Sequence, residues 1–254
     1  MSRTYDCAYA EERADGVRLG AAALQRGELV VLPTDTVYGV AADAFSPEAV
    51  AALLAAKGRG RQSPPPVLAG GIDLLGALAS SLSAEAKLLA QTFWPGALTL
   101  VCWAQPSLSW DLGDTGGTVA LRVPDHPLTV ELLRACGPLA VSSANRSGLP
   151  PGRTAAEARE QLGDSVAVYL EDGPAPGATA SSIVDATGPV PRLVREGALS
   201  LARLREVVPA LLGPDDPAPD DAAPDDPAPD GSVPDAPDDP VERPDPAASA
   251  PPPS

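Results

Sequence analysis

Five places in this 254-residue chain combine residue types that could hold or transform an anion. The run PTDTVYG (33–39) sets Thr34, Asp35, Thr36 and Tyr38 within a few positions, between two apolar stretches. VSSANRSG (141–148) again puts small hydroxyls, an amide and a glycine just after an apolar run. Lys57, Arg59 and Arg61 sit within five residues and lead into Pro64-Pro65-Pro66. Arg122 lies inside TVALRVP, and Arg195 inside LVREG. Each has an ordinary explanation: Thr or Asp capping a turn, cations facing a helix C-terminus, or an arginine on a solvated strand face. Taken together they place Thr, Ser and Asn at strand ends beside arginines from three regions. That fits a ligand bearing phosphates and a carboxylate, because the planar guanidinium fork binds both with paired hydrogen bonds. Residue chemistry alone stops at an anionic small molecule, with a nucleotide among the candidates.

The residue inventory narrows the chemistry further. His126 is the only histidine, and Cys7, Cys102 and Cys136 are scattered with no C-x-x-C. A zinc site, a disulfide framework and a Ser-His-Asp triad are therefore not expected. Neither G-x-x-x-x-G-K-[ST] nor G-x-G-x-x-G occurs, so any nucleotide cradle is of another kind. The N-terminus has no apolar signal core and no run approaches a membrane span, which leads us to expect a cytoplasmic protein with no membrane contact.

These residues need elements to position them. The spacing predicts a helix over 11–26, strands over 28–33 and 36–44, and a helix opened by Ser46-Pro47-Glu48 whose stripe of Val50, Leu53 and Leu54 runs into Lys57. Further strands are expected over 96–104, 118–125, 138–144, 165–171, 181–185 and 191–195. A capping box at Thr154 and Glu157 opens a helix near 155–162, and a last helix covers 200–212. Alternation of this kind means an α/β domain in which helices cover a sheet.

The formal charge of -16 belongs largely to the end of the chain. Residues 214–254 hold twelve acids and one Arg, leaving 22 acids against 17 Lys plus Arg before them. This Pro-, Asp- and Ala-rich segment has almost nothing to bury. We expect one catalytic domain over 1–212 and a disordered acidic tail over 213–254.

PTDTVYG, K-x-R at 57–59, FWPGALTLV, TVALRVPDHP, VSSANRSG and SSIVDATG…LVREG stand in the order seen in the YrdC-like threonylcarbamoyl-AMP synthases, and the chain resembles that family over roughly 16–212. The resemblance implies a single α/β domain, a twisted mixed sheet flanked by helices with a basic concave groove. It implies L-threonine, bicarbonate and ATP as substrates, Mg²⁺ with the nucleotide, and threonylcarbamoyl-adenylate and pyrophosphate as products. By motif, Lys57 and Arg59 would lie over the phosphates and carry catalysis. Thr36, Arg122, Ser142 and Ser181 would meet threonine, and Arg59, Ser63, Thr118, Ala144, Asn145 and Arg195 the nucleotide. Arg61, outside the K-x-R pattern, is expected to matter less. Family members often carry Lys or Asn where Ser63 stands and His where Leu68 stands, and longer relatives add a second C-terminal domain. The product would pass to a tRNA threonylcarbamoyl transferase complex. The competing reading is a non-catalytic module that binds double-stranded RNA or the ribosome, and an RNA contact could also accompany the enzyme. Carbamoyl adenylation for another acceptor, as in hydrogenase-maturation proteins, is set aside because their zinc-finger and acylphosphatase modules do not occur.

Overall fold

Eleven strands and seven α-helices make up the computed structural model, which describes residues 2–177 and 179–217. The strands are β1 (Arg3–Asp6), β2 (Val30–Leu32), β3 (Gly39–Asp43), β4 (Val67–Leu68), β5 (Ala79–Ser80), β6 (Leu98–Ala104), β7 (Thr118–Arg122), β8 (Leu139–Ser143), β9 (Val168–Glu171), β10 (Ser182–Asp185) and β11 (Arg192–Arg195). The helices are α1 (Ala10–Gln25), α2 (Pro47–Lys57), α3 (Leu75–Leu78), α4 (Ala84–Phe93), α5 (Pro127–Cys136), α6 (Ala155–Leu162) and α7 (Leu201–Arg205). One sheet takes the strands in the order β1-β9-β2-β3-β8-β4-β7-β6-β10-β11, with β5 hydrogen-bonded to β6. Parallel and antiparallel neighbours mix: β2 is parallel to β9 but antiparallel to β3, and β6 is parallel to β10 but antiparallel to β7.

Local chemistry sets the ends of the elements around the cleft. Ser46 caps α2 by accepting from Ala49 N at 3.2 Å, Pro47 occupies the first helical position, and Gly58 closes the helix in the left-handed region (φ 66°). Thr154 caps α6 by accepting from Glu157 N at 3.2 Å, but the returning Glu157 carboxylate takes Arg153 N instead of the cap's own amide. β3 starts only at Gly39, not at 36, because Thr34 Oγ1 accepts from both Thr36 N and Val37 N and turns the chain there.

Alternation along the strands decides which face is core. In β7, Val119 and Leu121 are buried in the large cluster that holds Leu89, Phe93 and Leu100, while Thr118, Ala120 and Arg122 point the other way. Two further clusters lie where α1 and α5 meet β2 and β9, and where α2 and α6 meet β3.

Some expectations are corrected. The last helix stops at Arg205 instead of reaching 212, since Pro209 disfavours helical backbone at Val208 and two β-branched residues precede it. β1, α4 and α5 were not expected, although α4 has a Ser83 cap and α5 a Pro at its start. Contacts also continue beyond Leu212. Arg192 donates to Gly213 O at 3.0 Å and Asp216 O at 2.6 Å, and Arg205 pairs with Asp216 at 2.5 Å. The disorder expected for the acidic tail lies, from residue 218 on, outside the described residues. Among the described residues no helix is long and apolar enough to cross a membrane.

Candidate functional site

The face of the sheet opposite the large core, from the end of β8 across β7 and β6 to β10 and β11, forms the floor of a cleft of about 480 Å³. Val101, Ala120 and Ile183 give it an apolar middle, and Thr99, Thr118, Arg122, Ser181 and Arg195 stand around them. One wall is the Thr34–Gly39 turn with Ser142 and Ser143 at the end of β8. The opposite rim is made by Arg59 and Pro64–Pro66 from one loop and Leu112 and Thr115 from another.

Arg122 is only 6% exposed and its guanidinium is fixed from three directions. Nε donates to Gly96 O at 2.9 Å, one terminal nitrogen to Thr36 Oγ1 at 2.9 Å, and the other to Asp35 at 2.6 Å. Asp35 also accepts from Asp125 N at 3.0 Å, at the entry to α5, and Thr129 of that helix donates to Pro33 O. The PTDTVYG turn is thus buttressed from beneath by α5. Among the described residues two of the five guanidinium N–H groups have no partner and are left for a ligand.

Arg195 stands close enough to Arg122 that, after burial, the like charge is the second cause lowering its pKa. It donates to Ser181 O at 2.6 Å, and the Ser181 and Thr99 hydroxyls are hydrogen-bonded to each other at 2.8 Å. Among the described residues neither Arg59 nor Arg195 forms an ion pair with a carboxylate. Two neighbouring guanidinium groups, of which only Arg122 is paired with a carboxylate among the described residues, leave positive potential that an anion would neutralise.

Of the residues expected at the site, Thr36, Arg59, Thr118, Arg122, Ser142, Ser181 and Arg195 line the cleft. Ser63, Ala144, Asn145 and Lys57 do not. Ser63 lies in the rim loop, where its amide donates to Gly60 O at 3.1 Å. Ala144 is buried under the wall, its amide donating to Tyr38 O at 2.7 Å. Asn145 turns inward, its amide donating to Leu149 O at 2.6 Å and Arg146 O at 2.9 Å.

Lys57 differs most from expectation. It is 1% exposed, and its ammonium donates to Ser143 O and to Asn145 O at 2.7 Å. Its own carbonyl accepts from Ser147 N at 3.0 Å. Burial, and then Arg59, lower its pKa to about 8. Lys57 therefore holds the VSSANRSG loop from below, while Arg59 faces the cleft and donates through Nε to Ser147 Oγ at 2.9 Å.

Sequence reasoning missed Thr99 and Asp35. Thr99 is the one polar residue in an otherwise apolar strand, and Asp35 was noticed only as part of a turn. The sole histidine lies at the N-terminal end of α5, outside the cleft, with its Nδ1 buried and unpartnered. Burial pushes the thiols of Cys7 and Cys102 up to about 12, far from a nucleophilic thiolate. No group of three or more His, Cys, Asp or Glu able to hold a metal occurs among the described residues. Among the described residues no aromatic side chain lines the cleft, so none of them offers a base-stacking platform there.

Against known proteins, the pattern of the Sua5/YciO/YrdC family, described as "Telomere recombination", matches residues 22–197. The chain is 54% identical to a Mycobacterium tuberculosis protein provisionally named threonylcarbamoyl-AMP synthase, over 82% of this chain and 96% of that one. It is 37% identical to the threonylcarbamoyl-AMP synthase of Bacillus subtilis, over 76% of this chain and 56% of that one. The crystal structure of Pyrococcus abyssi Sua5 complexed with L-threonine superposes with a TM-score of 0.74 at 32% identity, covering 78% of this chain and 58% of that one. The chain thus spans less than two thirds of the Bacillus and Pyrococcus proteins.

Proposed function

The chain belongs to the Sua5/YciO/YrdC family, and from that premise we propose that it is an L-threonylcarbamoyladenylate synthase. As such it is a nucleotidyltransferase that converts L-threonine, bicarbonate and ATP to threonylcarbamoyl-AMP and pyrophosphate. The product is the activated donor for threonylcarbamoyladenosine in tRNA, handed on to a tRNA threonylcarbamoyl transferase complex in the cytoplasm. The observation that carries the reading is the Arg122–Arg195 pair in the cleft, beside Thr36, Thr99 and Ser181. The names of the relatives, and the threonine held by one of them, supply the substrate.

The chemistry asks little of a proton-transfer residue. The threonine amine adds to bicarbonate with loss of water to give a carbamate. A carbamate oxygen then attacks the α-phosphorus as the bond to the β-phosphate oxygen breaks, and pyrophosphate leaves. The nucleophile is already anionic, so neither a histidine nor a thiolate is needed. What the reaction needs is two anions held in line and the growing charge on the leaving group stabilised.

In this reading Arg122, already oriented by Gly96 O, Thr36 and Asp35, offers its remaining donors to the threonine carboxylate. Thr36, Ser142 and Ser181 lie beside it, and Arg59, Thr118 and Arg195 face the phosphates. Lys57 acts one layer below, through the 143–147 loop. Mg²⁺ enters as the counter-ion of ATP, since such an ion is held mostly by phosphates and water.

The test is pyrophosphate release by the purified protein, with threonine and bicarbonate omitted in turn. Release that needs both supports the reading; release from ATP alone, or none under any condition, overturns it.

A further inference from the structure

Arg61 was expected to be a bystander, but it joins the two loops that form the rim. Its terminal nitrogens donate to both oxygens of Asp111, at 2.9 and 2.8 Å, and its Nε reaches Asp114 at 3.3 Å. The backbone joins in, with Asp114 N donating to Arg61 O at 2.9 Å. Gly113, at φ +108°, passes so close that a Cβ there would lie 2.6 Å from Arg61 O. Asp111 in turn accepts from Gly113 N at 3.1 Å, which keeps its carboxylate aimed at the arginine.

The far side of the second loop is pinned as well. Trp110 stacks on Phe45 with ring centroids 5.6 Å apart, and Leu112 is buried in the large core while also lining the cleft. An isolated surface ion pair contributes little, but a two-pronged arginine–carboxylate contact backed by a second acid and a backbone bond is the favourable exception. The first loop carries Arg59 and Pro64–Pro66 into the cleft, and the second carries Leu112 and Thr115.

We propose that Arg61 is a positioning residue. Its fork on Asp111 and Asp114 locks the 58–66 loop to the 105–117 loop and so sets the rim against which the nucleotide binds. Arg61 touches no substrate; it acts through Arg59 and Thr115. The inference rests on the proposed adenylation for its kinetic consequence, but the lock itself can be read without any turnover.

Two measurements on the full chain test it. In steady-state pyrophosphate release, Arg61→Ala and Asp111→Ala should each raise the ATP KM about tenfold while the threonine KM moves less than about twofold. The double variant should be no worse than either single one, as expected for two ends of one contact. In hydrogen exchange without substrate, the amides of 111–117 should exchange about tenfold faster in each variant, with the β6 and β7 amides unchanged. An unmoved ATP KM, single effects that multiply, equal rises in both KM values, or unaltered exchange at 111–117 would each overturn the lock. If the wild type releases no pyrophosphate, the functional reading fails on its own, and exchange still decides on the lock.

Discussion

On the floor of the cleft Arg122 is buried and spends three donors on Gly96 O, Thr36 and Asp35, whereas on the rim Arg61 is exposed and spends its donors on two carboxylates of another loop. Both are arginines anchored to acids, yet they do different work. The floor arginine is fixed by groups built into strand ends, so its position is set by the fold of the sheet. The rim arginine fixes loops that the sheet does not hold. In the proposed reading the arginine fixed by the fold of the sheet meets the amino acid, and the loop-borne rim, with Thr118 and Arg195 of the floor, meets the nucleotide. Between them stands Lys57, which ties the wall loop to the end of α2 from inside.

The largest effect is expected at that tie. Lys57→Ala removes a buried side chain and takes the ammonium donor from Asn145 O and from Ser143 O, which keeps only Asn145 N, so it should cost about 2–5 kcal/mol of stability and slow turnover by about 10²-fold or more. Urea unfolding and pyrophosphate release measure the two. A variant as stable as wild type, with only a raised ATP KM, would mean that Lys57 reaches the phosphates after all, and the division between wall and rim would fall.

Arg59→Ala should act on the rim alone. The expected change is a rise of about tenfold in the ATP KM, through loss of a charge-assisted contact, with stability and threonine KM little altered. A comparable rise in the threonine KM would show that rim and floor are one site.

A smaller effect concerns pH. The pKa of Lys57 is about 8 in the folded chain against an ordinary 10.5, so the unfolded chain binds the additional proton between these values. Stability contributed by this group therefore rises with pH across that window, and its burial penalty is fully present below about pH 8. Unfolding free energies of wild type and Lys57→Met, compared at intervals from pH 7.5 to 10, should diverge in favour of wild type as pH rises. A constant difference would contradict the burial of a charged ammonium.

The smallest change is expected at the chain end. Ending the chain after Leu212 removes the Gly213 and Asp216 partners of Arg192 and Arg205 and should lower Tm by about 2–4 °C, as loss of ~1 kcal/mol would. Ending it after Pro217 should change neither Tm nor turnover. Equal Tm values for the two truncations would show those contacts contribute nothing.

What the sequence made legible was local. The turn chemistry of PTDTVYG, the Ser46-Pro47 start of α2 and the odd polarity of Arg122 within an apolar strand are all written within a few residues of one another. The missed features depend on distant partners. Asp35 meets Arg122 across 87 positions and Arg61 meets Asp111 across 50. No spacing rule ties such pairs together. Lys57 was placed over the phosphates by the K-x-R resemblance, and nothing in its neighbouring residues spoke against a cation at a helix C-terminus. Its burial follows only once β8 and the loop after it close over the end of α2. Thr99 was hidden for the opposite reason, since one hydroxyl in an apolar strand is unremarkable until β10 brings Ser181 beside it.

The division between floor and rim is tested most directly by Arg122→Lys, which keeps the charge and loses the planar fork. Initial rates of pyrophosphate release should be measured with threonine varied at saturating ATP, and with ATP varied at saturating threonine. The account predicts a threonine KM raised about tenfold or more with an ATP KM within about twofold of wild type. A raised ATP KM with threonine spared would contradict it, placing Arg122 in the nucleotide's half of the cleft.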